Sequence, residues 1–113
     1  MGEEKVDIIK FVNDYASVLR EHIRLDRIVL FGSYARGEAT AESDLDLIVV
    51  SPDFGENIFN DSSLLYRCMP RHVFGVDALP RTPEDLAAVE PESFLAYALE
   101  ESKVVYDGAV VAR

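Results

Sequence analysis

Apolar side chains recur at steps of three and four residues along the first part of the chain. This spacing is typical of an amphipathic helix, because residues three and four apart lie on the same helix face. The pattern predicts a helix of about five turns over residues 3–23. Its apolar positions are Ile8, Phe11, Val12, Tyr15, Ala16, Leu19 and Ile23.

A short run of apolar and β-branched residues follows at residues 27–31 and predicts a buried strand. The run ends at Gly32, which indicates a sharp turn, and Ser33 resembles the N-cap of a following helix. Residues 37–43 are small and polar, so we expect a loop there.

Two further apolar runs predict two more strands. Residues 45–50 form the second, which Ser51 and Pro52 end. Residues 72–79 form the third, and Pro80 is expected to end it because proline lacks the N–H that a strand needs.

The rest of the chain predicts short elements. Residues 62–68 favour a short helix after a loop, and residues 103–106 favour an edge strand before a turn at Asp107 and Gly108. The sequence Thr82, Pro83, Glu84 has a capping residue, a proline at the first helical position and an acid in the first turn, so a helix should start there. Another helix is expected over residues 92–101.

Composition limits the class of protein. The chain has 113 residues, of which 49% are hydrophobic and 28% charged, so we expect one globular domain over residues 1–113. No apolar run approaches the roughly 20 residues of a membrane span. The first residues lack the basic and apolar regions of a secretory signal, which favours a cytoplasmic protein without a membrane partner. The single cysteine, Cys68, is expected to be a buried structural residue.

Charge narrows the choice of partner. The formal net charge of −10 repels a phosphate backbone, and no Lys/Arg patch is present to bind one. We therefore expect no nucleic-acid partner.

Asp44 and Asp46 lie two residues apart at the start of a predicted strand. Alternate strand residues share a face, so both carboxylates point to the same side, with their Cβ atoms about 7 Å apart. At an effective dielectric of about 20 their repulsion is on the order of 2 kcal/mol before screening, and a divalent cation between them would remove it. The alternative is that both carboxylates simply face solvent at the end of a strand.

Gly32 and Ser33 lie at a strand end where a ligand can approach the backbone closely and where free N–H groups can face an anion. Arg36 adds a positive charge one turn later. The combination indicates a metal-bound phosphate between two neighbouring strands, and Asp77 in the third strand supplies a further carboxylate. Taken singly, the Gly-Ser pair could be only a tight turn, and Asp77 only an exposed acid.

These residues together resemble a known family. LFGSYARGE, SDLDLIVV, the later VDALPRTPEDL and the closing VVYDG resemble the minimal nucleotidyltransferase family of the DNA polymerase beta superfamily. The resemblance extends over nearly the whole chain. It implies an α/β (α+β) palm-like fold, in which helices flank a small mixed β-sheet.

The resemblance also implies an activity. Family members bind a nucleoside triphosphate with magnesium and transfer its nucleotidyl group to a hydroxyl. It implies that Asp44 and Asp46 hold two Mg²⁺ ions and that Asp77 binds the acceptor-side ion and takes the proton of the hydroxyl. Gly32, Ser33 and Arg36 would contact the phosphates of ATP.

Relatives of this kind act as antitoxins of HEPN-domain toxins by attaching AMP to a tyrosine, so the resemblance implies a HEPN-domain partner. Two other functions stay open at this point. The chain could act mainly by masking its partner, with nucleotide chemistry secondary or lost, or it could be the nucleotide-binding subunit of a small-molecule or RNA nucleotidyltransferase. The net charge weighs against RNA. An edge strand at residues 103–106 could support a homo- or hetero-oligomer.

Overall fold

The computed structural model describes residues 7–72 and 74–111 of the chain. The elements in chain order are α1 (Ile8–Leu19), β1 (Arg27–Phe31), α2 (Ser33–Arg36), β2 (Leu45–Val50), α3 (Ile58–Arg67), β3 (Val76–Arg81), α4 (Pro83–Ala87), α5 (Phe94–Leu99), β4 (Lys103–Asp107) and α6 (Gly108–Val111). No helix in this part of the chain is both long and apolar enough to cross a membrane.

The four strands form one mixed sheet in the order β3-β2-β1-β4. β1 lies antiparallel to both β2 and β4, and β2 lies parallel to β3. Helices flank this sheet, so the predicted fold of a small mixed sheet with flanking helices is confirmed. The predicted bounds of β1 and β2 agree with the structure.

The sheet buries apolar side chains on both faces. On one face, β1 and β2 contribute Ile28, Leu30, Leu45, Leu47 and Val49 to a core that α1 and α3 cover. Tyr15 of α1 donates its hydroxyl to the Leu65 carbonyl of α3 at 2.6 Å. On the opposite face a smaller cluster contains Val29, Phe31, Ile48, Val50 and Ala98. Ala98 belongs to α5, so α5 packs on the face opposite α1.

The first helix is shorter than its apolar pattern. Residues 3–6 of the predicted span lie outside the described residues, and α1 ends at Leu19 rather than at Ile23. The chain then turns, and Arg24 makes an ion pair with Asp53, in which Nε and Nη2 both donate to Oδ1, at 3.0 and 2.6 Å. Ile23 still packs against the core. The apolar pattern therefore continues beyond the end of the helix, because residues after α1 also contact the core.

α3 is longer than predicted, because it starts at Ile58 rather than near Ser62. Asn57 caps it by accepting hydrogen bonds from the backbone N–H groups of Phe59 and Asn60 at 3.0 and 3.2 Å. The first turn leaves Ile58 and Phe59 exposed, so it has no amphipathic pattern for a sequence analysis to detect.

The third strand lies further along the chain than predicted. It starts at Val76 rather than at His72, and Val73 lies outside the described residues. Pro80 was expected to end the strand but lies inside it, paired with Val49. β3 is at the edge of the sheet, where proline's missing N–H faces away from the neighbouring strand.

The C-terminal helices and strand lie close to their predicted positions, with small differences in their bounds. Thr82 caps α4 as predicted, with a capping box to Asp85. α5 is shorter than residues 92–101, because Ser93 caps it and accepts from the Ala96 N–H at 3.0 Å. β4 lies at an edge of the sheet as expected, but it includes Asp107, and Gly108 begins α6 instead of forming a turn.

Candidate active site

A glycine connects β1 directly to the one-turn helix α2. Gly32 is the N-cap, with φ of 76° and ψ of −156°, a conformation that glycine adopts far more easily than other residues. Ser33 is the first helical residue, so the prediction of Ser33 as the N-cap is wrong. The turn holds Gly32 and Ser33 beside the start of β2, because Phe31 pairs with Asp46.

The three predicted carboxylates lie on one face of the sheet. Asp46 of β2 pairs in register with Asp77 of β3, and Asp44 lies one residue before β2. Leu45 and Leu47 point into the core under α1, so strand alternation turns Asp44 and Asp46 toward the opposite face, where α5 lies. Asp46 is half-buried, whereas Asp44 and Asp77 are exposed.

Two glycines allow the carboxylates of Asp44 and Asp46 to lie against the backbone. A Cβ added at Gly32 would overlap Asp46 Oδ2 and lie 3.1 Å from its Cγ. A Cβ added at Gly75 would likewise overlap Asp44 Oδ1 and lie 3.0 Å from its Cγ. Each carboxylate therefore occupies space that any other residue at the facing glycine would fill. The sequence indicated Gly32, but nothing in its pattern singled out Gly75.

The electrostatic environment of Asp46 disfavours its charged form. Burial raises the pKa of this carboxyl above its ordinary value, and the nearby carboxylates of Asp77 and Asp44 raise it further. Arg36 opposes the shift. The two acids and the guanidinium therefore all affect the charge state of Asp46. A further cation would reduce the repulsion between the three carboxylates.

An open cleft of about 350 Å³ lies between α2 and the C-terminal half of α5. It brings together four of the six predicted site residues, namely Gly32, Ser33, Arg36 and Asp46, whereas Asp44 and Asp77 are not among its lining residues. α5 and the residues that follow it supply a wall that the sequence analysis did not identify. That wall consists of Tyr97, Ala98, Glu100 and Glu101, with Phe31 also lining the cleft.

Arg36, predicted to contact phosphate, makes an ion pair on the protein itself. Its Nε donates to Glu38 Oε1 at 3.0 Å. This bond raises the pKa of Arg36 above its ordinary value, so the guanidinium stays charged. It engages one of the five N–H donors of the guanidinium, and the side chain lines the cleft beside Ser33.

The donor set suits a hard divalent cation. Asp44, Asp46 and Asp77 offer carboxylate oxygens, the ligands that Mg²⁺ prefers. Within residues 7–72 and 74–111, no three His, Cys, Asp or Glu side chains converge closely enough to hold a metal ion alone. Mg²⁺ is commonly bound by one or two carboxylates together with water and substrate phosphates. The two glycine-backed carboxylates therefore fit a cation that takes its remaining ligands from a bound triphosphate.

Comparisons with known proteins agree with this arrangement. The family model described as nucleotidyltransferase domain matches residues 7–107. A protein of Methanocaldococcus jannaschii named "Putative protein adenylyltransferase" is 36% identical over 107 residues, which are 94% of this chain and 100% of that protein. A second protein of the same name and organism is 46% identical over 48 residues, or 42% of this chain and 46% of that protein.

Solved structures share the fold. A "putative nucleotidyltransferase" from Sulfolobus solfataricus has a TM-score of 0.65 at 19% identity, covering 90% of this chain and 82% of that one. A structure described as "the toxin-antitoxin with AMP-PNP" has a TM-score of 0.51 at 24% identity, covering 84% of this chain and 72% of that one.

The family match spans most of the chain, and the first relative is covered along its full length. The chain belongs to the nucleotidyltransferase domain family, which confirms the resemblance inferred from its sequence motifs. The protein is therefore a nucleotidyltransferase, an enzyme of the transferase class.

Proposed function

We propose that this nucleotidyltransferase is magnesium-dependent and transfers AMP from ATP to a hydroxyl group of a partner protein, a HEPN-domain toxin whose antitoxin it is. The observation that carries the proposal is the cleft in which Gly32, Ser33, Arg36 and Asp46 meet. It combines a close backbone approach, a hydroxyl, a cation and a carboxylate, the groups that binding a metal–triphosphate requires.

Gly32, Ser33 and Arg36 would hold the phosphates. Gly32 forms the turn that lines the cleft beside the Asp46 carboxylate, and Ser33 provides a hydroxyl donor next to it. Arg36 contributes a permanent positive charge on the same wall of the cleft. These contacts would fix the triphosphate so that its α-phosphorus faces the carboxylates.

Asp44, Asp46 and Asp77 would supply the remaining chemistry. Asp44 and Asp46 would hold two magnesium ions, and Asp77 would contribute to the ion nearer the acceptor. When bound, these ions neutralise charge on the triphosphate and help to activate the acceptor hydroxyl. Asp77 takes the proton from that hydroxyl as its oxygen bonds to the α-phosphorus. The bond between the α-phosphorus and the oxygen that bridges it to the β-phosphorus then breaks, and pyrophosphate leaves.

The relatives support the choice of donor and acceptor. The names of the Methanocaldococcus proteins specify an adenylyl group and a protein acceptor. The structure with AMP-PNP pairs a similar fold with an ATP analogue and a toxin–antitoxin system. The cleft between α2 and α5 is also open to solvent, which suits an acceptor side chain presented by another protein.

The test is to incubate the purified chain with ATP labelled at the α-phosphate, Mg²⁺ and lysate of its source. The variant Asp44→Asn/Asp46→Asn removes two negative charges at the site. A matched control, Asp14→Asn/Glu90→Gln, removes two negative charges from positions outside the cleft. We expect one labelled protein band with the wild type and the control, and none with the site variant or after magnesium chelation.

Label on a partner protein from the site variant would refute the assigned carboxylates. If the wild type labels nothing while a toxin-like protein still co-purifies with it, the chain acts by masking its partner instead. Label on a small molecule or on RNA would favour a nucleotide-binding subunit of another transferase.

A further inference from the structure

The wall of the cleft formed by α5 has no part in the chemistry proposed for the phosphates and the carboxylates, and it contains an exposed aromatic ring. Tyr97 is 67% exposed although it lines the cleft. Its neighbour Ala98 is buried against Val29 and Phe31 of the sheet, which fixes α5 and holds Tyr97 on the flank that faces α2. Tyr97 therefore borders the cleft, with most of its side chain open to solvent.

The two walls of the cleft differ in charge. The α2 wall carries Ser33 and the cation of Arg36, whereas the other wall carries Tyr97 and the acids Glu100 and Glu101. Carboxylates repel phosphate groups, but they accept hydrogen bonds from hydroxyl and amino groups. A nucleoside triphosphate would thus place its phosphates along α2 and its uncharged nucleoside along α5.

The exposed aromatic Phe94 lies one turn before Tyr97 and differs from it. Phe94 packs edge-on against Phe31, with ring centroids 6.0 Å apart and an interplanar angle of 84°. It is not a lining residue of the cleft. Within the cleft, Tyr97 is the residue on the α5 wall whose side chain presents a π-face of the kind on which nucleobases stack.

We infer that Tyr97 is the stacking surface for the base of the nucleotide donor, with Glu100 and Glu101 directing the nucleoside half toward α5. This inference rests on the proposed function, since it concerns the donor of that reaction. It assigns the nucleoside subsite to the α5 side of the cleft. Because every base has a π-face, Tyr97 contributes affinity for nucleotides in general and not selection of adenine.

The chain contains no tryptophan, which allows a direct optical test. Tyr97→Trp installs a single fluorophore and keeps an aromatic surface at the position. The matched control is Tyr66→Trp on α3, which is 55% exposed and lies outside the cleft. We expect ATP to quench the first variant saturably and to leave the second unchanged. Inorganic tripolyphosphate, which has no base, should quench neither.

Calorimetry on Tyr97→Ala and Tyr97→Phe separates stacking from other effects. Loss of the ring should weaken ATP binding roughly 10-fold, whereas phenylalanine should preserve it. Tripolyphosphate should bind both variants as it binds the wild type. The inference would be overturned, and the proposed function left standing, if Tyr97→Ala kept its affinity for ATP. The same holds if the substitution weakened the binding of ATP and of tripolyphosphate equally. Failure of the wild type to bind ATP in the presence of Mg²⁺ would overturn the proposed function and the inference together.

Discussion

Gly32 and Asp46 illustrate how single residues determine the site. The carboxylate of Asp46 occupies the space in which a side chain at residue 32 would lie, and the backbone of Gly32 has a positive φ. One glycine thus meets two requirements at once, a sharp turn after β1 and a close approach to a carboxylate.

Gly32→Ala should therefore displace Asp46 and impair transfer by at least 10²-fold, the scale on which misplaced catalytic groups act. The matched control is Gly37→Ala, because Gly37 also has a positive φ of 74°, but a Cβ added there would meet nothing within 4 Å among the described residues beyond its chain neighbours. We expect that control to lose about 1 kcal/mol of stability through backbone strain and to keep its activity. Measuring transfer rates and urea unfolding for both variants would separate loss of activity from loss of stability. Equal activity of the two variants would contradict this role of Gly32.

Asp46 should reduce stability while it supports function. Its pKa in the folded protein lies above the ordinary value of 3.8. Its favourable contribution to folding is therefore complete below the unfolded-state pKa and is lost as pH rises through the folded-state pKa. Asp46→Asn should raise the free energy of unfolding at pH 7, because it removes a half-buried charge that two neighbouring carboxylates repel.

Urea unfolding at neutral pH and near pH 3 measures this effect, and the gain should vanish at the lower pH. Asp53→Asn provides the opposite case. Hydrogen bonds from Arg24 lower the pKa of Asp53 below its ordinary value, so that substitution should reduce stability at neutral pH. A loss of stability in Asp46→Asn at pH 7 would show that its carboxylate is not repelled by its neighbours.

At the scale of elements, the sequence predicted what depends on local pattern. β1 and β2 are mainly apolar runs between turn residues, and α4 has a capping residue with proline after it. The predictions that were wrong failed for physical reasons. Pro80 is tolerated because β3 happens to be an edge strand, and the order of strands is not written in any one segment.

The site residues also fall into two groups, those that local sequence predicts and those that only the tertiary fold brings to the site. The motif indicated Gly32, Ser33, Arg36 and Asp46, and the structure brings these four into one cleft. Tyr97 was missed because α5 meets α2 only through the tertiary fold. Gly75 was missed because a glycine that makes room for a distant carboxylate has the same local pattern as any loop glycine.

The packing of α5 controls the width of the cleft. Ala98 is buried between this helix and the sheet, so Ala98→Leu should push α5 outward and lower stability by about 1–3 kcal/mol through overpacking. It should also weaken ATP binding. Ala87→Leu, at the exposed end of α4, is the control and should change stability by less than about 0.5 kcal/mol. Thermal unfolding and calorimetry test both, and unchanged ATP binding in Ala98→Leu would contradict this role of α5.

The whole molecule is strongly acidic yet must bind an acidic substrate. Its formal net charge is −10, and the face of the sheet that carries the candidate site adds the carboxylates of Asp44, Asp46 and Asp77 to Glu100 and Glu101 beside it. Such a surface repels free triphosphate unless cations accompany it. Binding of nucleotide should therefore depend on divalent cations throughout. The expectation of one domain over residues 1–113 stays a prediction.

The proposed function requires that the carboxylates on this face direct the transfer of a nucleotidyl group. The most direct measurement compares ATP labelled at the α-phosphate with ATP labelled at the γ-phosphate, in wild type and in Asp44→Asn/Asp46→Asn. We predict that the wild type leaves the α-label on its acceptor protein and releases the γ-label in pyrophosphate, and that the variant transfers neither. A γ-label on the acceptor, or an α-label transferred by the variant, would contradict nucleotidyl transfer by these carboxylates.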